Sequence, residues 1–203
     1  MTSLLHLREK MSHAPSQTGE LESSRFHGIR MDITKDIAGI PRKGLKTMCD
    51  FKENECATVD YLRYYRQRIY FIEFSDIEKS LKQIIDDVEV LNNLKQDRKI
   101  DKKTFKRFEK DVWDRQLIEI KNKVNGSERI FERLSCHLVS KHKSSYADKQ
   151  NKKRHVIIVY RNSNKGEGDK DAIVFDYLKN QLSGTFPRIR VISTDELSLV
   201  FKS

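Results

Sequence analysis

The stretch DYLRYYRQRIYFIEFSD, residues 60–76, decides how the rest of the chain is read. Two runs rich in Tyr, Ile and Phe flank a polar interruption at Arg66-Gln67-Arg68, which predicts two antiparallel strands and a short turn. The interruption lacks Gly and Asn, so the turn type is left open. The second run, Ile69 to Ile72, is apolar until it meets Glu73 and Phe74, and Ser75-Asp76 then reads as a helix N-cap. A carboxylate among Ile and Phe is costly unless something pairs with it. A divalent cation is one such partner, and Asp60, at the head of the first run, is placed to face the same ion.

An Asp on one strand and an acid near the end of the next resemble the PD-(D/E)xK nuclease superfamily. Matched residue by residue, Asp60 is the first acid and Glu73 the second, while the motif lysine falls on Ser75. The likeness spans residues 49–94, with a weaker match late in the chain. It implies an α/β fold of restriction-endonuclease type, a mixed sheet flanked by helices. It also implies Mg2+ or Mn2+ as cofactor, held by Asp60, Glu73 and the carbonyl of Phe74. Because Ser75 carries no charge, the catalytic cation must come from elsewhere, and Lys79 and Lys82 are the candidates. An early acid sometimes joins such sites, and Glu9 and Glu20 are available for it. Asp50 competes with Asp60 as the first acid, but Asp60 leads directly into the hairpin.

The 203 residues fit one domain with an appendage, split as an arm over 1–30 and an α/β domain over 31–203. Hydrophobic residues make up 37% and charged residues 34%, lean but sufficient for a core. The net charge of +10 points to nucleic acid, an anionic surface or an acidic protein. No apolar run reaches the ~18–20 residues a membrane span needs. The first residues lack the pattern of a secretory signal, so a cytoplasmic protein is expected. Cys49, Cys56 and Cys136 give neither a disulfide framework nor a zinc pattern. No HExxH, G-x-S-x-G, Rossmann or Walker signature occurs.

Along the chain, residues 3–7 predict a short helix and 12–28 a polar loop or arm. Pro41 and Gly44 mark a turn whose Arg42, Lys43 and Lys46 are candidates for phosphate contact, with a solvated loop as the bland alternative. Ile77, Leu81, Ile84, Val88, Leu91 and Leu94 recur at helical steps and predict a helix over 76–98. A second helix carries Phe105, Phe108, Val112 and Leu117. Asn125-Gly126-Ser127 predicts its end and the start of a third. Trp113 and the phenylalanines read as core rather than as base-stacking residues. The region 99–146 is long for a minimal nuclease and reads as a helical insertion or an arm for a partner protein. The basic segment 141–154, with Lys141, Lys143, Lys152, Lys153 and Arg154, is the strongest candidate for nucleic-acid contact. Residues 155–160, 171–182 and 188–193 read as strand, helix, strand in a parallel unit.

Three functions remain in play: a metal-dependent nuclease acting on DNA rather than RNA, a non-catalytic relative that binds nucleic acid or partners, and a helical interaction protein. The resemblance further implies a setting such as restriction or another antiviral defence.

Overall fold

The computed structural model describes residues 7–14, 21–32, 34–35, 41–42, 44–52, 55–75, 77–141, 154–161, 180 and 188–202. Within these, the backbone alone is described at 34, 35, 41, 42, 77–82, 85, 113, 116 and 135–141. The expected helices at 3–7 and 171–182 fall almost wholly outside that set.

The hairpin forms as read. Strand β5 (Tyr61–Tyr65) pairs antiparallel with β6 (Arg68–Phe74), from Tyr65↔Arg68 to Tyr61↔Ile72. Arg66 and Gln67 alone make the turn, with φ of 45° and 58°. Positive φ at both central residues is the type I′ pattern, whose twist matches that of the flanking strands.

Two further strands of the same sheet precede this hairpin. β1 (Arg8–Ser12) pairs antiparallel with β2 (Ser23–Arg30), and β2 pairs with β5. The later part of the polar stretch read as a loop or arm is therefore a strand of the sheet. Ser, Arg and His at its exposed positions hide the strand period. Inward it carries Ser24, Gly28 and Arg30, the last paired with Glu9 at 3.2 Å. β3 (Thr34–Lys35) and β4 (Pro41–Arg42) form a separate two-stranded ribbon, followed by the single turn α1 (Leu45–Met48).

After β6 the chain leaves through α2 (Ile77–Gln96) and returns through α3 (Lys102–Lys141). It re-enters the sheet as β7 (Arg154–Tyr160), parallel to β6, and β8 (Ile189–Ser193) lies parallel to β7. Among the described residues the result is a mixed α/β fold whose main sheet has six strands in the order β1-β2-β5-β6-β7-β8. A final turn, α4 (Leu197–Val200), closes the described chain. No described helix is long and apolar enough to cross a membrane.

Alternation along β6 divides two cores. Ile69 and Phe71 face one side, with Leu62, Val156 and Ile158, under Leu117, Ile120, Val124, Ile130 and Phe131 of α3. Tyr70, Ile72 and Phe74 face the other, with Met11, Tyr61, Val159, Leu197 and Phe201. Burying a large apolar side chain of this kind contributes about 2 kcal/mol.

The helical region departs from the expected insertion in two ways. α3 runs unbroken through Asn125-Gly126-Ser127, and its second half belongs to the sheet core. Gly126 is there for close approach: a Cβ would lie 1.9 Å from the Ala57 carbonyl oxygen. Only the first half stands apart. Phe105 and Val112 are buried outside both sheet cores, where α2 packs on α3. Asp101 caps α3, its Oδ1 accepting the Lys103 and Thr104 amides at 2.8 and 2.9 Å.

Candidate active site

The register carries Asp60 and Glu73 to opposite positions, one step beyond Tyr61↔Ile72. Leu62 and Phe71 belong to the core under α3. Asp60 and Glu73, two residues further along their strands, share that face. The Phe74 amide donates to Asp60 Oδ2 at 2.7 Å, which fixes the first carboxylate against the second strand.

Helix α3 brings a cation to the pair. Lys123 Nζ lies 2.6 Å from Glu73 Oε1 and 3.1 Å from Glu119 Oε1, one turn earlier on the same helix. The helix is tied down beside the site. Ser127 Oγ accepts the Val59 amide at 2.9 Å and donates to the Lys123 carbonyl at 2.7 Å. With the Gly126–Ala57 approach, these bonds hold α3 against the residues that lead into Asp60.

Burial dominates the electrostatics. Desolvation raises the pKa of Glu73, and the negative charge of Asp60 adds to it, while Lys123 opposes both. Asp60 is also raised by desolvation, against the Phe74 hydrogen bond and Lys123. For Lys123, desolvation works downward, yet the carboxylates of Glu73 and Glu119 carry it above the ordinary lysine value. The two acids thus hold protons more tightly than free carboxylates do, beside a lysine that stays charged.

Glu73 is 5% exposed, and its Oε2 has no hydrogen-bond partner among the described residues. A buried carboxylate oxygen without a donor is a position that a cation satisfies. Among the described residues no three His, Cys, Asp or Glu side chains form a metal cage. Two carboxylates suit Mg2+ when water and phosphate oxygens complete its shell, so Asp60 and Glu73 fit such an ion.

The other expected residues fall as follows. Lys79 and Lys82 lie on α2, their side chains outside those described. Arg42 is in β4 and Lys141 ends α3, again without described side chains. Glu20, Lys43, Lys143, Lys152 and Lys153 lie outside the described residues. Lys46 is not a surface phosphate ligand. It is 1% exposed, with its ammonium 3.5 Å from Asp32, because Gly44 lets α1 press against the Asp32 carbonyl. Arg154 is likewise engaged, 3.1 Å from Glu128 and 3.5 Å from Glu132. Glu9 belongs to the opposite face, paired with Arg30. Asp50 is exposed just after α1, at φ 60°.

Lys123 and Glu119 are absent from the sequence-based candidates. A signal for Lys123 exists: it sits seven residues before the buried Ile130, at the margin of the apolar stripe of α3. Asp32 is a third omission, its charge reaching Asp60. Comparison with family models, curated proteins and solved structures gives no match.

Proposed function

We propose that this chain is a divalent-metal-dependent phosphodiester hydrolase acting on DNA, of PD-(D/E)xK type. The observation that carries the reading is Lys123 Nζ at 2.6 Å from Glu73, on the face that Glu73 shares with Asp60. A cation from the returning helix takes the part that Ser75 cannot. Support also comes from the mixed sheet, antiparallel through β6 and parallel beyond it, with helices packed on it; a mixed sheet flanked by helices is what the resemblance implies.

A bound Mg2+ or Mn2+ would polarise the phosphoryl oxygen and lower the pKa of its water. Asp60 and Glu73 would hold that ion. Asp60 is oriented by the Phe74 amide, and Glu73 keeps Oε2 in reserve for it. Lys123, braced by Glu119, presents fixed positive charge where the phosphate gains negative charge.

The test is incubation with plasmid and single-stranded DNA, in Mg2+ or Mn2+ against a chelator. Wild type cuts, while Asp60→Asn, Glu73→Gln and Lys123→Met each cut at least ~100-fold more slowly. Failure of wild type to cut either substrate with either metal overturns the proposal. The second reading is a non-catalytic subunit that binds nucleic acid or a partner protein. Its specific support is that Lys123 already neutralises Glu73 and that no third acid completes a cage among the described residues.

A further inference from the structure

We propose that the first half of α3 is a backbone clamp for duplex nucleic acid, a role that rests on the hydrolase reading and supplies its substrate grip. Lys103, Lys110, Leu117, Val124 and Phe131 stand seven residues apart, so they follow one slowly winding line along the helix. The last three are buried in the sheet core. Lys103 and Lys110, on the same line, are exposed. Where α3 runs out past the sheet, the side that packs on the strands turns into lysine.

Lys106 and Arg107 fill the steps of three and four residues between those lysines. All four residues are exposed, and none is in an ion pair among the described residues. No acid interrupts the line until Asp114. Residues 95–110, the joined ends of α2 and α3, hold eight basic and three acidic residues, a net +5. All eight basic residues are exposed.

The geometry favours a duplex. At ~1.5 Å of rise per residue, Lys110 lies about 20 Å and Lys103 about 30 Å along the helix from Lys123. That reach is close to one turn of B-DNA, ~34 Å. Neither aromatic beside the stripe is open for stacking bases: Phe105 is buried against α2 with Lys95 over its ring, and the half-buried Phe108 has the Arg107 guanidinium over its ring at 5.1 Å. Rows of cations without stacking platforms suit a phosphate backbone better than a single strand.

The test measures binding of the full chain to a fluorescein-labelled DNA duplex, in chelator, across a salt series. Lys103→Gln, Lys106→Gln, Arg107→Gln and Lys110→Gln are combined in one variant. Glutamine preserves helix propensity at exposed sites, and circular dichroism checks the fold. The expected result is weaker binding, with the slope of log K against log salt flattened by about 3–4. A control removes equal charge elsewhere, through Arg8→Gln, Lys10→Gln, Lys52→Gln and Lys202→Gln, all exposed. It is expected to move the slope by less than half as much.

The clamp is overturned if the stripe variant keeps the wild-type slope or if the control loses as much. Wild type ignoring duplex at low salt overturns it too, as does wild type binding phosphatidylserine vesicles instead. Stripe-dependent binding without any metal-dependent cleavage sinks the hydrolase and leaves the clamp standing.

Discussion

The Val59 amide donates to Ser127 Oγ at 2.9 Å, joining residues 68 apart in sequence. The same oxygen donates to the carbonyl of Lys123. One hydroxyl therefore ties the residue before Asp60 to the residue that reaches Glu73. Packing of the helix and assembly of the acid–lysine cluster are one event.

Ser127→Ala leaves the buried Val59 amide without an acceptor, at a cost of about 1–3 kcal/mol. Gly126→Ala drives a methyl into the Ala57 carbonyl and costs at least as much. Thermal unfolding should record a fall of roughly 2–4 °C for each kcal/mol. An unchanged midpoint for both variants would mean that α3 does not dock here.

Lys123→Met removes the partner of a buried carboxylate. A fully buried pair broken this way loses ~3–5 kcal/mol. Lys123 keeps 27% of its side-chain surface in solvent, so about 2 kcal/mol is the expected loss near pH 8. In acid the loss shrinks, because Glu73 then carries a proton. Urea unfolding at two pH values measures both numbers, and equal losses would contradict this account of the pair.

Glu73→Gln tests the raised carboxyl directly. Between the ordinary pKa of 4.5 and its higher folded value, Glu73 holds a proton that the unfolded chain releases. Stability from this group is full below 4.5 and falls as the pH rises through that window. The raised pKa of Lys123 acts only in strong base and leaves this window flat. The variant should match wild type most closely in acid and gain on it toward neutral pH. A gap independent of pH would rule out proton uptake at Glu73.

Arg66 and Gln67 hold left-handed backbone that disfavours L side chains by ~1–2 kcal/mol per residue. Arg66→Asn combined with Gln67→Gly should raise stability by about 1 kcal/mol or more. Differential scanning calorimetry reads the gain, and a lowered midpoint would refute the turn geometry.

The hairpin and α2 were legible because long apolar runs and a regular period fix strand and helix with no distant partner. The opposition of Asp60 and Glu73 followed from the hairpin alone, since alternation sets the face. β2 was not legible, because its most buried positions hold Ser24, Gly28 and a paired Arg30 rather than Val or Ile. Asn125-Gly126-Ser127 reads as a stop signal, and only the approach of Ala57 explains it inside a helix. Lys123 stayed hidden because its partner lies 50 residues away. Lys46 looked like loop charge, and nothing local marks its pairing with Asp32.

β6 waits for its parallel neighbour until the chain has come back from both helices. About 80 residues separate the end of β6 from the start of β7. At ribosomal speeds of roughly 5–20 residues per second, that is about 4–16 seconds with one ladder of Ile69–Phe74 unpaired. A nascent chain in that interval offers an apolar edge to any other strand nearby. Production of this protein should therefore respond to chaperone supply during synthesis more than to the stability of the finished fold, and soluble yield with and without a co-expressed holdase would register the difference.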